Sequence, residues 1–163
     1  MNRLRGSRRT QRGAVYIEFL VALLPVLFFF FAVWQVADAC AAHLIVERAA
    51  QAAVRAAVVV MPDNGKFYGA EDPNVGVDTL SGARGKDVEA AARLVLVASP
   101  HFVETPSTIE IAPPEPHGHE PVTATVTAGY RCSSWVSLLC GATGSLDMTA
   151  SATLPYQGAR FTY

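Results

Sequence analysis

Apolar positions dominate one stretch near the N-terminus. Between residues 14 and 36 the only polar side chains are those of Tyr16, Glu18 and Gln35. At a rise of about 1.5 Å per residue this stretch spans roughly 34 Å as a helix, enough for a hydrocarbon core of about 30 Å. The pattern therefore predicts one transmembrane helix over residues 14–36.

A second helical pattern follows directly, over residues 37–61. Its polar positions recur every four residues on one arc, at His43, Glu47, Gln51 and Arg55. Small or apolar positions occupy the opposite arc, at Ile45, Ala49, Ala52, Ala53 and Ala56. Such a face covers a sheet and also permits close approach of a second helix, and we expect both. Pro62 disfavours helix in the residue before it, so the helix is predicted to end at Met61.

The next segment, residues 62–85, is rich in Gly, Asp, Asn and Pro and is predicted to be a long surface loop, with room for a short strand. Residues 86–98 place apolar side chains at helical spacing, with Asp87 and Glu89 suited to a helix start. The apolar run 94–97 is equally compatible with a strand, and this alternative stays open.

Towards the C-terminus the apolar period changes to two. Alternation runs through 107–112, 122–130 and 146–154, where Val, Ile, Leu and Ala alternate with Thr, Ser and acidic residues. Such segments are typical of half-buried antiparallel strands with one face in water. The predicted fold class is α+β: a long N-terminal transmembrane helix continues into an amphipathic helix packed on a small antiparallel sheet.

Charge predicts the orientation of the helix in the membrane. Five arginines and no acidic residue precede Gly13, and positive flanks stay on the cytoplasmic side. The formal net charge of −1 hides this asymmetry, because the remaining eight basic residues face 14 acidic ones beyond Gly13, a net of −6. So acidic an outer part argues against a nucleic-acid partner.

This orientation also predicts the redox state of the three cysteines. An extracytoplasmic compartment favours a Cys132–Cys140 disulfide over two buried thiols, with Cys40 left free. The apolar segment 135–139 between the paired cysteines is a candidate for docking on a partner or on the membrane.

Sequence motifs for catalysis and metal binding are weak. His101, His117 and His119 lack metal-ligand spacing, and Asp72 and Asp78 fit no calcium loop. The chain has no phosphate-binding loop, nucleophile elbow or zinc-protease pair, and neither Ser133 nor Ser134 has a nucleophile context. We expect no enzyme, no cofactor and no metal.

Four interpretations compete for the N-terminus. A cleaved secretory signal has a possible site at 39–41, but its apolar core would be too long and would contain Glu18. A twin-arginine signal is suggested by Arg8 and Arg9, but the residues after them are not hydrophobic. A plain membrane anchor explains everything except Glu18, a charge that survives there only by reaching the interface.

The fourth interpretation uses Gly13 and Glu18 together. A basic leader, a glycine, four residues, a glutamate and a long apolar helix resemble the type IV prepilin processing signal. That resemblance implies cleavage after Gly13 by a prepilin peptidase, which makes Ala14 the first residue and Glu18 the fifth. A carboxylate at that distance is able to neutralise the new α-amino group, its own or a neighbour's, in a low-dielectric setting.

The chain as a whole resembles TadE-like proteins, the pseudopilins of tight-adherence (Flp, type IVc) pilus assembly. The matching stretches are RGAVYIEF (12–19), Leu24-Pro25, AAQAAVRAA (49–57), VTATVT (122–127) and LDMTASAT (146–153). The first sixty residues carry most of the specificity, the strands would suit many sheets, and residues 62–97 match no known feature of the family.

The resemblance implies an inner-membrane protein with its N-terminus in the cytoplasm and its C-terminal domain periplasmic or extracellular. It implies a leader over 1–13, the two helix segments above and an α+β domain over 62–163. The implied partners are the prepilin peptidase, the lipid bilayer, and other pilins or pseudopilins through Glu18 and the helix face Ala49, Ala52, Ala53 and Ala56. The alternative is a single-pass envelope binding domain that never joins a fibre.

Overall fold

The fold consists of two α-helices and one three-stranded sheet. The computed structural model describes residues 9–70, 80, 82–101, 103–112, 121–132, 140 and 144–156. Helix α1 covers Arg9–Val60 and helix α2 covers Ala83–Val97, with a 3-10 turn at Gly65–Phe67 between them. The α+β class predicted from the sequence is confirmed.

Helix α1 is one continuous helix of 52 residues, and it runs unbroken through Pro25. Its stretch from Val15 to Trp34 is apolar except for Tyr16 and Glu18, and its last part is amphipathic, as the sequence predicts. The helix ends one residue before the predicted position, and the amide of Met61 still donates to the carbonyl of Ala57 at 2.9 Å. Pro62 stops it because helical geometry is disfavoured before a proline.

The sheet is antiparallel and follows chain order. Its strands are β1 (Glu104–Ala112), β2 (Val122–Arg131) and β3 (Ser145–Leu154), with β2 in the centre. Pairing between β2 and β3 is regular from Val122–Leu154 to Arg131–Ser145. Pairing between β1 and β2 has an irregularity between Glu104 and Thr108.

Both helices cover the same face of this sheet. Helix α1 packs on β2, β3 and α2, while α2 also touches β1. The inward positions of β2 alternate with its outer ones and are fully or almost fully buried, namely Val122, Ala124, Val126, Ala128 and Tyr130. The opposite face carries threonine pairs, with hydroxyls 2.9 Å apart for Thr127–Thr149 and 3.3 Å apart for Thr123–Thr153. The predicted division into a buried and a wet face is therefore present.

Helix α2 settles the alternative that the sequence left open for 94–97. Val88, Ala92 and Leu96 are fully buried at a spacing of four, whereas Leu94 and Val97 are exposed, and this pattern is helical rather than alternating. An ion pair of 2.6 Å between Arg93 and Glu89, one turn apart, supports the same helix.

The predicted surface loop over 62–85 needs a correction at its end. Helix α2 begins at Ala83, so 83–85 belong to the helix, and both Arg84 and Gly85 are buried. The turn-forming composition before them hid this start, because helix α2 has only a glycine, Gly82, as its N-cap and no side-chain cap. Among the described residues of the loop the regular element is the 3-10 turn rather than a strand.

Candidate membrane and assembly interface

The inner part of α1 stands clear of the folded domain. The most apolar part of the helix, within Val15–Val60, is long enough to cross a membrane and is not buried inside the protein at all. Large apolar side chains are exposed on every side of it, among them Val15, Ile17, Phe19, Leu24, Phe29 and Trp34. A helix that is apolar all round and uncovered by its own protein is typical of a membrane span. The structure is therefore compatible with a single-pass membrane protein.

The predicted processing residues lie near the start of this helix. Gly13 and Ala14 fall inside α1, and Glu18 follows Ala14 by one helical turn, so these two positions share a face. Glu18 is exposed between apolar neighbours. Within the described part of the chain it has neither an ion-pair nor a hydrogen-bond partner. Whether the chain is cleaved after Gly13 stays a prediction.

The outer part of α1 is largely buried in the protein's own core. Ala49 and Ala53, two of the four residues predicted to meet another helix, are fully buried. Ala52 and Ala56 are half-buried at the edge of the packed face. Packing on the protein's own sheet and on α2 is thus present. Contact with a helix of another subunit stays a prediction, and Ala52 and Ala56 are the two of these residues that remain accessible for it.

The polar arc of the same helix faces outwards, as predicted. His43, Gln51 and Arg55 are exposed and Glu47 is half-buried. His43 Nε2 lies 3.3 Å from Glu47 Oε1, which is a surface pair across one helical turn. Exposed pairs of this kind contribute little to stability.

Arg84 is the residue that sequence reasoning missed. Its side chain is fully buried, and its guanidinium donates to the main-chain carbonyls of Val60, Met61 (3.0 Å) and Asp63 (2.8 Å). These carbonyls belong to the last turn of α1 and the turn after it, where a helix has no internal donors and carries the negative end of its dipole. One arginine on α2 thus caps the C-terminal end of α1 by donating hydrogen bonds to its carbonyls.

Tyr68 contacts both Arg84 and Asp63 at this capped helix end. The Arg84 guanidinium carbon lies 4.6 Å from the centre of the Tyr68 ring, and the Tyr68 hydroxyl donates to Asp63 Oδ2 at 3.2 Å. Burial, and then the bond to the Asp63 carboxylate, raises the pKa of Tyr68. In the sequence, the only indication of this contact is an arginine close to a turn-rich segment. An arginine in such a place is typical of a solvated loop.

Two buried polar groups lie at the other end of the domain, where α1 leaves the apolar stretch. Gln35 and Tyr130 are each 2 % exposed, and neither the Gln35 amide nor the Tyr130 hydroxyl has a hydrogen-bond partner among the described residues. Burial, and secondarily the charge of Asp38, raises the pKa of Tyr130. The tip of β2 therefore lies close to the Asp38 turn of α1.

The cysteines pair as the sequence predicts. Cys132 and Cys140 form a disulfide with a Cα–Cα distance of 6.3 Å, and Cys140 is 5 % exposed. Cys40 is free and exposed on α1. The docking candidate at 135–139 lies outside the described residues.

Metal and catalytic candidates add little to the picture. His101 is exposed, while His117, His119, Asp72 and Asp78 lie outside the described residues, as do Ser133 and Ser134. Within the described ranges no group of three His, Cys, Asp or Glu residues is placed to hold a metal ion.

Comparison of the chain with protein-family models, with curated proteins and with solved structures gives no match. The functional assignment therefore depends on the geometry of α1 and on the residues around Gly13 and Glu18.

Proposed function

We propose that this chain is a prepilin-like membrane protein, a TadE-like pseudopilin that takes part in assembling a tight-adherence pilus or a related secretion fibre. The observation that carries the proposal is the setting of Glu18. It is a carboxylate without a partner in the described part of the chain, on a stretch of α1 that is otherwise almost entirely apolar and largely exposed.

A charge in this position favours a nearby counter-charge. Ionised side chains are costly at membrane depth, and those that occur there are paired or functional. Cleavage after Gly13 creates a cationic amine at Ala14, one helical turn from Glu18. Glu18 is then able to neutralise the amine of its own chain, or that of a neighbouring helix bundled against it.

The division of α1 supports the same proposal. The domain holds only the outer part of the helix, so the stretch from Val15 to Trp34 remains available for lipid and for helices of other subunits. The arginine-rich leader favours a cytoplasmic N-terminus, which places the domain in the periplasm or outside the cell. The inner membrane is the proposed location, and the prepilin peptidase and other pilins are the proposed partners.

A second candidate is a membrane-anchored envelope domain that never enters a fibre. The burial of Ala49 and Ala53 in the protein's own core favours it, since a plain anchor needs no free helix face outside the membrane. In that case Glu18 merely reaches the interface.

Substitution of Glu18 by Gln separates the two candidates. The amide keeps the size of the side chain and removes its charge, leaving any paired amine without its counter-ion. Loss of one partner from a buried pair costs on the order of 3–5 kcal/mol, and water at the membrane edge reduces that figure. We expect Glu18→Gln to remain inserted and processed, to co-purify poorly with the major pilin, and to yield few fibres.

Glu47→Gln is the matched control, because it removes a carboxylate from the same helix at a surface pair outside the membrane. It should leave co-purification and fibre counts unchanged. Normal association and normal fibres in the Glu18→Gln strain would favour the plain anchor instead.

A further inference from the structure

Gln35 shows how close the folded domain comes to the membrane. It is 2 % exposed, whereas the residues on either side of it, Trp34 and Val36, are 57 % and 49 % exposed. At about 1.5 Å per residue, Gln35 lies ~30 Å along the axis from Val15, at the outer boundary of a membrane-spanning stretch that begins there. One side of α1 is therefore covered at the level where lipid headgroups begin.

The part of the domain nearest this level is the turn end of the β2–β3 pair. Helix α2 starts beside the far end of α1, where Arg84 binds, and packs back along α1. Glu104, seven residues after α2 ends, pairs with Gly129 close to the end of β2, and burial and then the charge of Asp38 raise the pKa of the neighbouring Tyr130. Ala39 and Cys132 are partly buried against the same core. Arg84, in contrast, binds the opposite end of α1. Strand β2 therefore runs towards the membrane and β3 runs away from it.

This end of the sheet is called the base here, defined by Tyr130, Arg131, Ser145, Leu146 and the Cys132–Cys140 disulfide. Arg131 pairs with Ser145 at its edge. Arg131 is exposed, and Leu146, at 39 %, is the most exposed large apolar side chain of the described strands. A guanidinium suits lipid phosphates, and an apolar side chain beside it suits the boundary between headgroups and acyl chains.

We propose that the base is a second membrane-binding surface, seated on the phospholipid headgroups of the bilayer that α1 crosses. The occupant is lipid because the base continues the surface of the membrane helix at the headgroup level. The proposal depends on membrane insertion of α1 and is independent of fibre assembly. As a consequence, the domain has a fixed orientation relative to the membrane, with the base against the bilayer, and does not rotate freely about α1.

Depth-dependent quenching tests this placement in the full chain. A fluorophore is attached to a single introduced cysteine in a Cys40→Ser background, and the protein is reconstituted in nanodiscs of phosphatidylethanolamine and phosphatidylglycerol. A nitroxide quencher is carried on the lipid headgroups. The test labels replace Leu146 and, as a second position on the base, Arg131.

Two further labels give the comparison. Phe67→Cys is the distal control, because Phe67 is 76 % exposed near the far end of α1. Phe30→Cys, inside the apolar stretch, reports insertion through a second quencher attached to the acyl chains.

We expect headgroup quenching at 146 and 131 to exceed that at 67 several-fold. Quenching at both base positions no greater than at 67, with the label at 30 quenched by the acyl-chain probe, would overturn the proposal and leave membrane anchoring intact. A label at 30 that escapes the acyl-chain probe would also overturn it, because α1 would then not cross the bilayer. Normal fibres in the Glu18→Gln strain, with base quenching still stronger than at 67, would count against the proposed function alone.

Discussion

The two halves of α1 have the same backbone and opposite surroundings. Between Val15 and Trp34 the side chains are bulky and mostly exposed, whereas between Ala42 and Val60 a small-residue face is fully buried against the sheet and α2. The outer half presents alanines where the protein packs closely, and the inner half presents phenylalanine and leucine where no protein covers it.

The difference shows that burial within the chain and burial in lipid demand different side chains. Packing of helix on sheet is limited by shape, so residues such as Ala49 and Ala53 are chosen for size. Lipid adapts its shape, so the inner half needs apolar area and tolerates bulk. Substitutions that are harmful in one half should therefore be neutral in the other.

The largest effect is expected where the outer half ends. Arg84→Met keeps a long side chain but removes the donors to the carbonyls of Val60, Met61 and Asp63. The bonds to Val60 and Met61 are buried and the bond to Asp63 is part-buried. Each buried carbonyl left without a donor costs about 1–3 kcal/mol, so we expect the free energy of unfolding to fall by at least about 2 kcal/mol. Denaturant unfolding of the full chain in detergent, followed by near-UV circular dichroism, measures this loss.

Arg93→Met is the control for that variant. Arg93 lies on the same helix, 55 % exposed, and pairs only across the surface with Glu89. Its loss should change the free energy of unfolding by no more than about 0.5 kcal/mol. Equal effects of the two substitutions would show that the buried contacts of Arg84 do not hold α1 to α2.

An alanine from each half tests the comparison itself. Ala53→Leu adds three carbons at a fully buried position and should destabilise the domain by about 1–3 kcal/mol through overpacking. Ala22→Leu makes the same change at an exposed position of the inner half and should leave both unfolding and membrane insertion unchanged. Unfolding in detergent and carbonate extraction of membranes measure the two outcomes, and a stable Ala53→Leu protein would contradict the tight packing described above.

The smallest effect is expected at the boundary between the halves. Gln35→Leu replaces a buried amide that has no partner among the described residues with an apolar group of similar size. Such a replacement is neutral or stabilising, by up to about 1 kcal/mol, since it removes the unpaired amide from that position. The exposed Gln51 gives the control, and a clear loss of stability in Gln35→Leu but not in Gln51→Leu would reveal a partner for the Gln35 amide.

The sequence predicted the elements that have a strong period. The apolar stretch follows from its lack of polar residues, the end of α1 from Pro62, and the three alternating strands from their spacing. The Cys132–Cys140 pair follows from compartment. The start of α2 did not, because Gly82 provides no side-chain cap and the preceding residues have turn composition.

Long-range contacts could not be predicted from the sequence, for a physical reason. The carbonyls that Arg84 binds lie more than twenty residues earlier in the chain, and no local pattern links the two. The burial of Gln35 likewise depends on how much of the length of α1 the rest of the domain covers. The prediction for Glu18 depends on the sequence alone, on a carboxylate at a fixed distance from a glycine, and it stays a prediction.

The N-terminus of the mature protein tests the proposed function most directly. The chain should be isolated from membranes of cells that hold a prepilin peptidase and of cells that lack it, with Gly13→Arg as the uncleavable control, and its first residues determined by sequencing or intact mass. Processing predicts a chain that begins at Ala14 only when the peptidase is present and Gly13 is intact. A mature protein that begins at Met1 or at Ala41 in peptidase-containing cells would contradict the pseudopilin assignment.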